Sequence, residues 1–214
     1  MAKTVKKVFS TLTEKELKVF KTLNTSAKIQ DFLETLPINF EEKRETCFSP
    51  RQVLKHKKAH CFEGAVFAAA VLMFHGEKPL LLDLVSAFED DDHVAALFKN
   101  AGHWGAITKT NHGVLRYREP VYRTVRELAV SFFHEYFLDN GKKTLRAFSK
   151  PFDLSKFNNQ NWVTSGGSLF YITKAIDDSP HEKILSQNQI RKLRKADPIE
   201  IKMGKITQWK PPTK

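Results

Sequence analysis

A chain of 214 residues, 41% of them hydrophobic, is long enough to bury one substantial core, and its ordinary glycine and proline content (9 each) excludes a fibrous or disordered class. No apolar run approaches the roughly 20 residues of a membrane span, so no membrane partner is expected. The net charge of +11, from 35 Lys and Arg against 24 Asp and Glu, raises a nucleic-acid or anionic-surface hypothesis, but the cations are spread from end to end.

Two basic clusters stand out, Lys55-His56-Lys57-Lys58 and Arg191-Lys192-Leu193-Arg194-Lys195. Neither comes with zinc-finger spacing or an RNP-like aromatic string, so they read as solvated faces and nucleic acid is not the favoured partner. The N-terminus Met1-Ala2-Lys3-Thr4-Val5-Lys6-Lys7 is basic, but no apolar run follows it as a secretory signal requires. A cytoplasmic protein with Cys47 and Cys61 as reduced thiols is the expectation.

Residues 1–58 read as helical. Thr13-Glu14-Lys15-Glu16 has capping-box spacing before the helical repeat Leu17, Phe20, Leu23. Ser26 can cap a second helix that stops at Pro37, and Ser49-Pro50 looks like the cap and first residue of a third. A buried helix is expected from about Cys61 to Phe74, stopped by Gly76. Leu80 to Val85 follows as a buried strand, then the acidic loop Glu89–Asp92 and a strand His93–Lys99. Asn100-Ala101-Gly102 is a hairpin turn, with Trp104–Thr110 as the return strand and Val114–Tyr117 as a further strand candidate.

Residues 121–214 read as an accessory extension, helical and mixed, packed on a core of residues 1–120 to make one compact domain. Thr124 to Leu138 is expected as a single helix ended by Asn140-Gly141. The basic tail with Trp209 is expected to be mobile or to lie along the surface.

The chemistry concentrates in the middle zone. Cys61 opens the most apolar helical run, and a helix N-terminus favours the thiolate, the form that attacks a carbonyl. His93, at a strand start, is the expected general base and acid. His60 adjoins Cys61 but neighbouring positions on a helix tend to point different ways, so it ranks second. Asp90, Asp91 and Asp92 lack any metal-ligand spacing, so neither a metal nor another cofactor is expected.

The order of Val53-Leu54, Ala59-His60-Cys61-Phe62-Glu63-Gly64-Ala65, Gly76-x-x-Pro79-Leu80, Asp92-His93-Val94-Ala95-Ala96-Leu97 and Gly102-His103-Trp104-Gly105-Ala106-Ile107 resembles the transglutaminase-like superfamily over residues 50–112. The resemblance implies an α+β fold with a Cys-bearing helix packed on an antiparallel sheet. It implies a site of Cys, His and then Asp or Asn, usually Asp, with Trp104 in the place of the tryptophan the family carries before its third catalytic residue. This return strand has no Asp.

If Lys99 pairs with His103 across a three-residue turn, His93 shares a face with Asn111, which could orient the imidazole as in papain-like Cys-His-Asn enzymes. A different turn length would bring Thr108 or Thr110 there instead. Gln52 is the one side chain that suggests a second oxyanion donor beside the Cys61 N–H.

Two functions follow. One is a cysteine hydrolase or acyltransferase acting on a peptide or side-chain amide through a thioester. The other is a non-catalytic binding module of the same fold whose basic surface engages an acidic partner or nucleic acid. The oligomeric state is open.

Overall fold

The computed structural model describes residues 8–42 and 44–211, so the basic stretch Met1–Lys7 lies outside it. Helices α1 (Glu14–Thr22), α2 (Ser26–Glu34) and α3 (Pro50–His56) precede the central helix α4 (Cys61–Phe74). The strands β1 (Leu80–Val85), β2 (His93–Asn100), β3 (His103–Ile107) and β4 (Arg118–Tyr122) follow, then helix α5 (Val125–Ser131). Short strands β5 (Ala147–Ser149) and β6 (Phe152–Asp153), helix α6 (Phe170–Asp177), strand β7 (His181–Lys183) and helices α7 (Gln187–Arg191) and α8 (Pro198–Gly204) complete the chain.

The class is α+β. All the described strands join one antiparallel sheet in the order β4-β3-β2-β1-β5-β7, with β6 also pairing β1. Residues 121–214 are therefore woven into the same sheet as the Cys61 region through β5, β6 and β7.

α4 is apolar on every side, and Phe62 through Met73 are all buried, as such a helix must be. One face of the sheet packs on it through Leu81, Ala96, Phe98 and Ile107. The other face carries Leu82, Leu84, Ala95, Leu97 and Ala106 under Leu128, Ala129 and Phe132 from α5 and its following turn. This alternation along β1 and β2 is the period-2 pattern of a sheet covered on both faces.

Phe67 of α4 lies between Phe20 (edge-on, 5.8 Å) and Phe32 (stacked, 5.2 Å), which anchors α1 and α2 to it. Such pairs are each worth about 0.5–1.5 kcal/mol beyond the area they bury. The capping box at Thr13 and the Ser49 cap with Pro50 behind it form as expected, Gln52 completing a box at Ser49, whereas the second helix is capped by Thr25, one residue before Ser26.

The β2–β3 turn differs from expectation. Asn100 pairs with His103, leaving a two-residue turn of Ala101 (φ 47°) and Gly102 (φ 81°). Positive φ at both positions matches the right-handed strand twist, and this geometry outweighs the cost of a left-handed alanine. β4 begins at Arg118, beyond the candidate Val114–Tyr117 strand. The expected Thr124–Leu138 helix is α5 followed by a separate 3-10 turn at Phe133–Glu135, which drops Phe132, Phe133 and Tyr136 into the second core.

Candidate active site

Cys61 is the first residue of α4, where backbone N–H groups lack intrahelical partners. It opens into a cleft of about 690 Å³ with His60, His93, Asp90, Asp91, Asp92, Thr110, Asn111, Glu135, Tyr136 and Asp139 among its lining residues. Burial would push the Cys61 thiol up, but hydrogen bonds and charge from His60 and His93 outweigh it and bring it down to about 5. Burial pushes the other thiol, Cys47, up to about 12, reinforced by the charges of Glu63 and Glu41. The two cysteines are both free. One is built to ionise and the other to stay neutral.

His60 is the N-cap residue of α4. Burial works against its charge, yet the hydrogen bond and charge of Cys61, the charge of Glu63 and the Thr46 carbonyl raise it to about 9. Its Nε2 lies 3.0 Å from the Thr46 carbonyl oxygen, 3.4 Å from Glu63 Oε1 and 3.6 Å from Glu41 Oε1. Glu63, at the third helical position, is fully buried. Its carboxylate accepts from Asn39 Nδ2 (3.1 Å), Thr46 Oγ1 (2.7 Å), the Phe48 N–H (3.0 Å) and the His60 N–H (3.0 Å). Four donors converging on one carboxylate are what a buried anion needs.

His93 begins β2 and is buried, and its Nε2 has no hydrogen-bond partner among the described residues. The two-residue turn explains why. With Ala96 opposite Ile107, the register continued by three residues sets Thr110, not Asn111, against His93. Thr110 Oγ1 instead accepts the His112 N–H (3.1 Å).

Asn111 is committed elsewhere: its Nδ2 donates to the Trp209 carbonyl (3.0 Å) and its Oδ1 accepts the Trp209 N–H (2.8 Å). The tail around Trp209 is thereby held along residues 111–113, where Gly113 N–H also bonds the Ile206 carbonyl (2.9 Å). Thr108 is fully buried with its backbone bonded to Gln30, and its Oγ1 has no partner among the described residues.

The remaining expected residues lie away from the sulfur. Gln52 closes the Ser49 capping box (2.9 Å) and donates to the Gly166 carbonyl (2.9 Å), so its amide is occupied on another face. Trp104 stacks under the Lys99 ammonium (4.2 Å) at the edge of the second core. The cleft thus brings together Cys61, His93, Asn111 and the acidic loop, and leaves out Gln52, Trp104 and Thr108.

Sequence reading named His60 only as a rival and gave Glu63 no role. The available signal was the glutamate three residues beyond the N-cap, which marks a helix start with its side chain turned back to the cap. Lys109 was missed as well. Its stem packs on Gly64, one turn into α4, and its Nζ donates to the Leu36 carbonyl (2.6 Å); burial lowers it to about 8.

Among the described residues no group of three His, Cys, Asp or Glu side chains is placed to hold a metal ion, and no helix is long and apolar enough to cross a membrane. No family model matches the chain, and no curated protein matches it.

Proposed function

We propose that this protein is a thiol enzyme with a transglutaminase-like core, cleaving or transferring the acyl group of a peptide or side-chain amide through a Cys61 thioester. The observation that carries the reading is the thiol itself: a cleft-facing cysteine at the start of a buried helix, with two imidazoles holding it far below its ordinary range.

In the reaction, the Cys61 thiolate bonds to the amide carbon. Protonated His93 gives its proton to the departing amine as the carbon–nitrogen bond breaks. His93 then takes a proton from water, the resulting hydroxide adds to the thioester, and the thiolate leaves with the acid as product; an amine in place of water gives the transferred amide. The Cys61 backbone N–H supplies one oxyanion donor.

The acidic rim formed by Asp90, Asp91, Asp92 and Asp139 makes the cleft a poor seat for a polyanion, whatever the net charge of the chain. A binding module is the second reading, and the unpartnered His93 Nε2 favours it, because no described residue bonds that nitrogen to orient the ring for turnover.

p-Nitrophenyl acetate separates the two. An enzyme accumulates acetyl-Cys61, located by peptide mass mapping, absent in Cys61→Ser and turned over at least about 100-fold more slowly in His93→Ala. A binding module gives no acetyl-Cys61 above the level of an ordinary surface thiol.

A further inference from the structure

We propose that the cation generating the Cys61 thiolate is the neighbouring His60, held in its charged form by buried Glu63, and that His93 is left free to carry protons to and from the substrate. This rests on the thiol-enzyme reading above and divides its labour between the two histidines.

The described polar contacts of His60 Nε2 are all acceptors: the Thr46 carbonyl at 3.0 Å, Glu63 Oε1 at 3.4 Å and Glu41 Oε1 at 3.6 Å. A ring nitrogen surrounded by acceptors carries the hydrogen, so neutral His60 is the Nε2–H tautomer and Nδ1 is left as the base. The proton on Cys61 Sγ moves to Nδ1, the sulfur keeps the electron pair, and the imidazolium that forms already has its second N–H satisfied.

Glu63 makes that state permanent. Its pocket of Asn39, Thr46 and two backbone N–H groups is arranged to hold a carboxylate, and it also fixes the His60 backbone through the His60 N–H. Glu63 touches no substrate position and acts through His60, so it is a positioning residue.

His93 has none of this support. Its Nε2 has no hydrogen-bond partner among the described residues, so no bond on that side fixes a tautomer. A ring in that condition can gain and lose a proton during turnover.

Among the described residues, these charged and titratable groups face His60. Glu41 comes from the segment after α2, Glu63 and Cys61 from α4, and Cys47 is nearby but neutral. His93 acts on the same sulfur from β2.

The test measures iodoacetamide alkylation of Cys61 from about pH 4.5 to about pH 9, together with acetyl-Cys61 turnover, on the full chain and on His60→Gln, Glu63→Gln and His93→Ala. The expected result is an alkylation midpoint moved up by at least about one pH unit in His60→Gln, which is at least tenfold slower labelling near pH 6. His93→Ala moves the midpoint less than His60→Gln does and loses turnover. The inference is overturned if His93→Ala moves the midpoint as far as His60→Gln or further, an outcome that leaves the thiol-enzyme reading standing. A wild-type Cys61 that titrates as an ordinary thiol overturns both. Because Glu63→Gln breaks a buried network and can fail to fold, nitrogen-15 NMR of wild-type His60 is the second readout. An imidazolium still present above about pH 7 supports the proposal, and a neutral ring there, of either tautomer, refutes it.

Discussion

Gly64→Ala isolates the closest contact between α4 and the strand end that carries the cleft. A methyl at position 64 would meet Lys109 Cβ at 2.5 Å and Lys109 Cγ at 3.2 Å, with Leu33 Cδ1 at 3.8 Å. Helix propensity alone favours alanine by about 1 kcal/mol. Opposing it, Cβ of Lys109 cannot swing aside as a side-chain tip could: it is fixed to its backbone, Lys109 is fully buried, and the ammonium is tied to Leu36. Either α4 or the segment after β3 must shift, and overpacking of this kind costs roughly 1–3 kcal/mol and occasionally more.

Since the contact falls well inside van der Waals range, the upper part of that span applies, for a net loss of about 1–2 kcal/mol. For a chain of this size that lowers the melting temperature by roughly 2–8 °C. Urea unfolding of the two proteins measures it directly. A Gly64→Ala protein as stable as the parent, or more stable, would refute the packing described here.

Phe67→Ala removes the ring on which α1 and α2 converge and should cost about 3–5 kcal/mol in urea unfolding. Burial pushes Asp83 up to about 6, against the opposing hydrogen bond from His181, so the folded protein binds that proton more tightly than the unfolded chain does. The resulting stabilisation is full below the ordinary value of 3.8 and is lost as pH rises through about 6. Asp83→Asn should therefore gain up to about 3 kcal/mol on the parent between pH 4 and pH 8 in urea unfolding; a difference that stays constant with pH would count against it. Asn111→Ala should free the tail from residues 111–113, seen as faster amide exchange at Trp209 with little change in α4, at a cost of about 1–2 kcal/mol.

Much of the fold was legible because the signals were local. The apolar run after Cys61, the stop at Gly76 and the Ser49-Pro50 cap each specify structure within a few residues. The hairpin order could be read, but its turn length could not, since Ala101 gives no hint of a positive φ. That one residue of register moved Asn111 off the His93 face.

At the site, the position of Cys61 follows from helix-start chemistry, whereas its partners depend on chain that sequence spacing does not bring near. His60 gains its role from Glu41, Thr46 and Asn39 folding back over the start of α4. Asn111 loses its expected role to a backbone 98 residues away.

The central claim is a Cys61 sulfur that is ionised at neutral pH beside a Cys47 that is not. Timed iodoacetamide labelling near pH 6.5, with each cysteine followed by peptide mass mapping, tests it most directly. The thiolate fractions implied by values of about 5 and about 12 put Cys61 ahead by at least about 100-fold even after its lower intrinsic nucleophilicity is allowed for. Equal rates at the two cysteines, or a slower Cys61, would contradict it.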